Sequence, residues 1–403
     1  MNRLTICLGM VVLTIMQTTG CPVKAETSAK PTDLPKLVLY KDDRGNEVRF
    51  LLGTQLQMEF KSKDMGSSAD NVNTTVMRLR SVRPFVTGKM LDGRLALKVQ
   101  LNVVPGTFEL LDLNFDYKFK PDVQLRYGVF KMPFTHYRMA SKLRLQQIDW
   151  AITSKYFGAE RQWGFALHNG YEKPPRWGYV VAVGSGENSR ASHGKGIALA
   201  YDRERPNPSD LAGEGGVAEF HPEIFGNLSF NSPGMDVSSE TDRERTGLRY
   251  SLALSGAWDL DPEYTIDFSY RAAPEVLIKY KGLCVTGVWY AGWSEMGDDR
   301  SDHLAMRGGL VHVAYRWCDR YEIAARYAAV SMTDHLKHDV RAWSVREDSE
   351  VSDYVWDVKE DYALVFNIYF IEHQLKLQNG VQLLTPRIGR TDILATSQFQ
   401  LWF

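Results

Sequence analysis

The chain has 403 residues, of which 44% are hydrophobic, 24% charged and 12% aromatic, with 32 Gly and 16 Pro. That composition excludes a disordered polymer, a collagen-like repeat and a small disulfide-stapled fold. With 48 Lys and Arg against 49 Asp and Glu the net charge is −1, which gives no basis for nucleic-acid binding.

Mean hydropathy is −0.30, the value of a soluble protein. Yet 19 Tyr, 18 Phe and 10 Trp are many for so polar a chain. A β-barrel that spans a membrane reconciles the two, because its lipid-facing and lumen-facing residues cancel in the mean.

Residues 1–25 form an export signal in this reading. Arg3 is the positive start, and Leu4 to Met16 an apolar run broken only by Thr5, Gly9 and Thr14. Val23 and Ala25 then occupy the −3 and −1 positions of a signal-peptidase site, so cleavage is expected after Ala25. A rival reading lipidates Cys21, but Thr18 stands where a lipoprotein signal has an aliphatic residue. Beyond this segment no apolar run of about 18 residues occurs, so a membrane-embedded form has to be a closed barrel.

Residues 26–50 read as an N-terminal segment with a hairpin, and 51–403 as the barrel. Along the latter the dominant period is two. Leu56, Met58 and Phe60 oppose Gln55, Gln57 and Glu59. Leu95, Leu97, Val99, Leu101 and Val103 oppose Ala96, Lys98, Gln100 and Asn102. Leu111, Leu113, Phe115, Tyr117 and Phe119 oppose Asp112, Asn114, Asp116 and Lys118. The pattern returns at 248–258, 264–271 and 321–327. Fifteen to seventeen strands can be counted. Since single-chain outer-membrane barrels have even numbers, sixteen are expected.

Short turns fall at 104–107, 120–122, 259–262 and 317–320. Long polar connections fall at 62–74, 184–195, 203–216, 231–245, 293–303 and 332–361. One rim of short periplasmic turns and one of long outer loops is the expectation. Cys284 and Cys318 remain after export; a hairpin register that sets Cys284 opposite about residue 312 leaves them unpaired. A soluble sandwich or propeller fits less well: no blade repeat occurs, and aromatics recur near strand ends. Ile393, Ala395, Ser397, Phe399, Leu401 and Phe403 alternate up to a terminal aromatic. In a barrel this strand must close against the first, and Phe399, Leu401 and Phe403 resemble the signature read by the outer-membrane insertion machinery.

Residues 37–170 resemble the start of the phosphate-selective porin O and P family of Gram-negative bacteria. Leu37 to Phe50 resembles that family's N-terminal hairpin, and Arg78-Leu-Arg-Ser-Val-Arg-Pro-Phe85 its Arg-rich second strand. Leu111 to Phe119 followed by Leu125-Arg-Tyr-Gly-Val-Phe-Lys-Met-Pro-Phe134 is the nearest match. Arg161-Gln-Trp-Gly164 and His168-Asn-Gly170 resemble the point where the chain re-enters the wall. The resemblance implies a sixteen-stranded homotrimeric porin with an inward-folded third loop.

That loop is expected at 131–161. It carries Lys131, Arg138, Lys142, Arg144, Lys155 and Arg161 against only Asp149 and Glu160. A narrowed lumen focuses the field of its nearest charges, so such a constriction can favour anions whatever the net charge. Arg suits oxyanions through its planar fork, whereas Lys acts as a mobile point charge. Residues 347–361 are the reverse, with seven acids and Lys359. On the polar phase of the wall, Arg78, Arg80, Lys98, Arg126, Arg249, Arg271, Arg307 and Arg326 form a candidate basic track. Glu59, Asp112, Asp116, Asp267 and Glu322 oppose them, so the same residues could form a stiffening cross-strand network. Arg83 falls on the apolar phase of its strand, which calls for a bulge nearby or a register one residue off.

No metal or cofactor is expected. His335 and His338 lie three apart without supporting ligands, and Glu295 with Asp298, Asp299 and Asp302 lacks the spacing of a calcium loop. No nucleophile elbow or Ser–His pair points to an enzyme. The sequence thus reads as an outer-membrane porin for small hydrophilic solutes, with a basic constriction favouring phosphate-like anions and with lipid and lipopolysaccharide around it. A non-selective channel, or an adhesin or scaffold barrel with a closed lumen, are the alternatives.

Overall fold

Residues of alternating character make ribbons with one greasy and one wet face, and such ribbons bury neither face until they pair edge to edge. In the computed structural model, described over residues 37–63, 72–105, 107–186, 222–260, 270–296, 302–332, 358–386 and 391–403, they form one sheet. The strands are β1 (Leu37–Lys41), β2 (Glu47–Lys63), β3 (Val72–Met90), β4 (Leu95–Val104), β5 (Thr107–Lys120) and β6 (Val123–Lys131). After the inward loop follow β7 (Arg161–His168), β8 (Trp177–Gly184), β9 (Glu223–Asn231), β10 (Arg249–Asp259), β11 (Tyr270–Tyr280) and β12 (Leu283–Met296). The last are β13 (Asp302–Arg316), β14 (Tyr321–Met332), β15 (Val358–Ile371), β16 (Leu375–Pro386) and β17 (Asp392–Trp402). Each strand pairs antiparallel with the next, and β17 pairs back onto β2, so β2–β17 close a sixteen-stranded barrel.

Closure runs from Ile393 opposite Ser62 to Trp402 opposite Gly53. Phe403 completes it: its N–H donates to the Leu52 carbonyl at 3.1 Å, and the Leu52 N–H donates to its carbonyl at 2.9 Å. Where β17 ends, β1 takes over the same edge of β2, Leu37 lying opposite Phe50 and Lys41 opposite Glu47. The expected hairpin is therefore continuous with the wall. Asp42 sets its turn by accepting from the Arg44 and Asn46 N–H groups.

The greasy face is outside. On β10 Leu252 and Leu254 are exposed while Ser251, Ala253 and Ser255 are buried inward. Aromatics cluster outward near both rims, Trp258 stacking with Tyr270 at one and Trp177 meeting Phe230 edge-on at the other. An apolar outer band with aromatic ends is what a bilayer requires.

A bulge near Arg83 is present. Gln55 faces Ser81 but Leu56 faces Leu79, so Arg80 is the extra residue and Arg83 is returned to the inner face. A second bulge at Leu111 sits where Gln100 faces Asp112 and Leu101 faces Leu110. Cys284 lies opposite Ala314, close to the expected register, and both it and Cys318 are free thiols.

The assignment of connections to rims needs correction, because strand parity overrides length. The described ends of β4 and β10, Val104 and Asp259, lie on the same rim as the end of β6, so the connections read as short turns at 104–107 and 259–262 start from that rim and not from the opposite one. Residues 231–245, read as an outer loop, lie on the short-turn rim and fold inward. The strand expected at 264–271 falls mostly outside the described residues; the described strand there is Tyr270–Tyr280.

Gly128 is the tightest point of β6, with φ +116° and a hypothetical Cβ only 2.1 Å from the Leu113 carbonyl oxygen. Gly128→Ala is expected to destabilise the folded barrel by about 1–3 kcal/mol. A lowered urea midpoint, followed by heat-modifiable gel mobility, is the check.

Candidate functional site

Between β6 and β7 the chain folds into the lumen as α1 (His136–Met139), a single 3₁₀ turn (Lys142–Arg144) and α2 (Ile152–Phe157). An irregular segment buried in a barrel leaves many backbone groups without helical or ladder partners, and the wall must supply them. Glu275 on β11 accepts from the His136 and Tyr137 N–H groups, both at 2.8 Å. Asp361 on β15 accepts from Ile152 N–H at 3.2 Å, and Lys376 on β16 donates to the Leu145 carbonyl at 2.8 Å. Arg326 and Arg271 donate to the carbonyls of Asp149 and Phe157 at 2.7 and 3.1 Å.

Packing supports the same arrangement. Phe134 and Phe157 are fully buried against inward Ala257, Ala273 and Ala328, and Phe157 stacks on Tyr290 with centroids 5.2 Å apart. The lumen on this side is therefore a packed core rather than water. Small inward residues on β10–β14 leave the room.

The connection 232–248 enters from the opposite rim. Lys279 donates to the carbonyls of Asp236 and Ser239, and Asp242 pairs with Arg249 and accepts from Gly282 N–H. The two inward segments meet: Gln146 N–H donates to Glu240 Oε2 at 3.0 Å, and Arg144 donates to Ser238 Oγ at 2.8 Å.

What stays open lies against β2–β6, a cavity of about 390 Å³. Nine cationic side chains line it (Arg49, Arg83, Lys98, Arg126, Lys131, Lys142, Arg144, Arg161 and Lys173) against two carboxylates, Asp112 and Glu172. Asp112 is buried between Arg161 Nε at 2.7 Å and Lys98 Nζ at 3.2 Å. Glu172 is held below the usual carboxylate range chiefly by Lys98, against its burial and with help from Arg126. Arg126 forks onto Asp116 and lies 4.0 Å from the Tyr171 ring centroid. Arg83 forms no ion pair among the described residues and its Nε is buried without a partner. Arg144 reaches Ser238, and Lys131 donates to the Arg138 and Ala140 carbonyls.

Of the loop residues read from sequence, Lys131, Lys142, Arg144 and Arg161 come together in this cavity. Arg138 instead pairs with Glu160 and lies 4.9 Å over the Trp150 ring, and the side chain of Lys155 is outside the description. Of the wall residues, Lys98 and Arg126 line the cavity. Arg78 and Arg80 face inward but pair with Glu59 and Asp149. Arg249, Arg271 and Arg326 are buried under the inward segments, paired with Asp242, Glu223 and Asp361. There the cross-strand network reading holds. Arg307 must be corrected: the inward row of β13 is Met306, Leu310, His312, Ala314 and Arg316, so Arg307 points outward and is exposed. The glycines at 308 and 309 hide the alternation that would have placed it. Asp267, His335, His338 and the side chains of Glu295, Asp298, Asp299 and Asp302 lie outside the described residues. Sequence reading missed Arg49 and Lys173, which sit at the rim end of the cavity beyond any alternating run; the out-of-phase Arg83 was the one visible signal.

Glu240 links the two inward segments while facing Glu275, Glu322, His312, Arg326 and Lys376. Burial pushes its carboxyl up to about 7, with the Gln146 N–H and Arg326 acting the other way. A raised carboxyl favours the docked state while protonated, so docking is strongest at low pH and weakens as pH rises through about 7. Thiol labelling of Ser239→Cys, normalised to a free cysteine thiol at each pH, is expected to accelerate between the ordinary carboxylate range and about pH 7 and to level off above it. The added Glu240→Gln change should flatten the profile.

Against known proteins, no protein-family profile matches the chain, and no curated protein is significantly similar in sequence. Solved structures do match in fold. Salmonella typhi OmpF, solved with daunomycin, has TM-score 0.54 and 9% identity over 91% of this chain and 100% of that one. Pseudomonas putida OprB gives 0.52 and 11% over 90% and 95%. The outer membrane channel DcaP of Acinetobacter baumannii gives 0.51 and 10% over 90% and 99%. The chain has the fold of the outer-membrane porins.

Proposed function

We propose that the protein is an outer-membrane porin through which small hydrophilic solutes diffuse passively, with a constriction that favours anions such as phosphate. The observation that carries this is the charge of the open half of the lumen, nine cations facing two carboxylates in a chain of net charge −1. The acids are already committed to Lys98, Arg126 and Arg161, whereas Arg83 and Arg144 form no ion pair among the described residues and are left for a passing ion. Walls of low dielectric focus that field along the passage, and many weak sites allow an ion to leave as readily as it enters. The filled far half of the lumen narrows the passage and keeps ions near the cations. Assembly as a homotrimer, delivery by an export signal and insertion through the terminal Phe399–Phe403 strand complete the reading. Lipid and lipopolysaccharide are its surroundings.

Reversal potentials in a salt gradient across planar bilayers test it. Anion selectivity is expected for the wild type. The pair Arg83→Ala with Arg144→Ala should lower the anion-to-cation ratio about three- to tenfold, since a charge a few ångströms away contributes roughly 1 kcal/mol in a water-filled site. A cation-selective wild type overturns the reading, and correctly folded protein that conducts no ions favours a closed scaffold barrel.

A further inference from the structure

The cavity wall is not uniformly polar. Leu51 and Phe85 face each other across the β2–β3 ladder and both point into it. Leu143 reaches over from the 3₁₀ turn, and Trp402 stands beside it at the end of β17. Gly53 permits this approach: a Cβ there would lie 2.9 Å from a Leu143 methyl and 3.7 Å from Trp402 Cβ. The Trp402 indole N–H is buried without a partner, a donor left unused inside an otherwise apolar step. Two residues along the same strands stand the cations, Arg49 beside Leu51 and Arg83 beside Phe85. A passage for fully hydrated inorganic ions gains nothing from a Leu, Phe and Trp surface, which such ions neither wet nor shed water onto favourably.

We infer that the preferred permeants are amphiphilic organic anions, a carboxylate, phosphate or sulfonate head on an apolar body. The head exchanges water for the Arg83 guanidinium while the body slides over Leu51, Phe85, Leu143 and Trp402; Arg49, at the other end of the step, is already paired with Glu47 at 2.5 Å. This preference rests on the anion-favouring reading and narrows it from charge to a class of solute. Aromatic bodies fit the Phe85–Trp402 step by stacking, and Arg83 beside them suits a planar carboxylate.

The test compares bi-ionic reversal potentials and half-blocking concentrations for benzoate, acetate and inorganic phosphate, with chloride as the common reference, in reconstituted full-length barrels. Benzoate is the bulkiest of the three, so size alone would rank it last. Binding over the apolar step is expected to lower its half-blocking concentration about tenfold below that of acetate, the factor that shielding part of one ring from water supplies. Phe85→Ser and Leu143→Ser, one on the wall and one on the inward segment, should each bring the benzoate-to-acetate ratio close to one. Heat-modifiable mobility reports that the barrels are folded, and either variant suffices should the other misfold. Anion selectivity without a benzoate preference, phosphate blocking better than benzoate, or a preference that survives both substitutions overturns the inference alone. Cation selectivity would instead overturn the reading beneath it.

Discussion

Inside a bilayer an unpaired strand edge leaves a row of N–H and C=O groups with nothing to bond, and each costs several kcal/mol. The ladder from Ile393–Ser62 to Trp402–Gly53, finished by the two hydrogen bonds between Leu52 and Phe403, removes that edge. Everything else follows from closure. It fixes an even number of strands in the wall, puts every second side chain inside, and encloses the lumen into which the segment after β6 folds. It also leaves the lower edge of β2 free, which β1 covers.

A sixteen-stranded cylinder is too wide for its wall side chains to fill, so its interior must be water or other parts of the chain. Here the answer differs by side. Along β9–β15 small inward residues leave room, and acids and bases among them are aimed at the backbone of the two inward segments. Buried pairs such as Arg271 with Glu223 and Arg326 with Asp361 therefore orient the filling; removing one partner of such a pair typically costs about 3–5 kcal/mol. Along β2–β6 the inward residues are longer and the lumen stays open. The passage is thus displaced toward one wall, and the charge that matters to a solute is that wall's charge, not the chain's.

Legibility in the sequence followed the same division. Alternation is a local property, so strands, closure and the inner phase of Lys98, Arg126, Arg271 and Arg326 could be read directly. Cation density at 131–161 marked the inward loop for the same reason. Partnership is not local. Nothing near Arg138 reveals that Glu160 will neutralise it, and nothing near Arg271 reveals that it will hold the Phe157 carbonyl. The second inward segment was hidden because a polar stretch such as 232–248 reads as a solvated loop until the wall donors Lys279 and Arg249 are seen to wait for it. Arg307 shows the limit of alternation itself: two adjacent glycines carry no phase. The bulge at Arg80 is the opposite case, where a broken phase at Arg83 was itself the signal.

The paired and unpaired cations have distinct physical roles. A guanidinium locked to a carboxylate, as Arg161 is to Asp112, presents a dipole whose field falls away within a few ångströms, and its rigidity shapes the passage. A guanidinium that forms no ion pair among the described residues, such as Arg83 or Arg144, keeps more of a monopole field, which low-dielectric walls spread along the lumen. Holding Arg83 in place without an acid requires that its desolvation stay incomplete, which the open cavity beside it provides. An anion arriving there replaces water around a charge that no ion pair among the described residues neutralises, so attraction and release can both be fast. The chain's near-neutral charge is compatible with this because its acids are placed where they neutralise structural cations, leaving the exceptions along the open cavity.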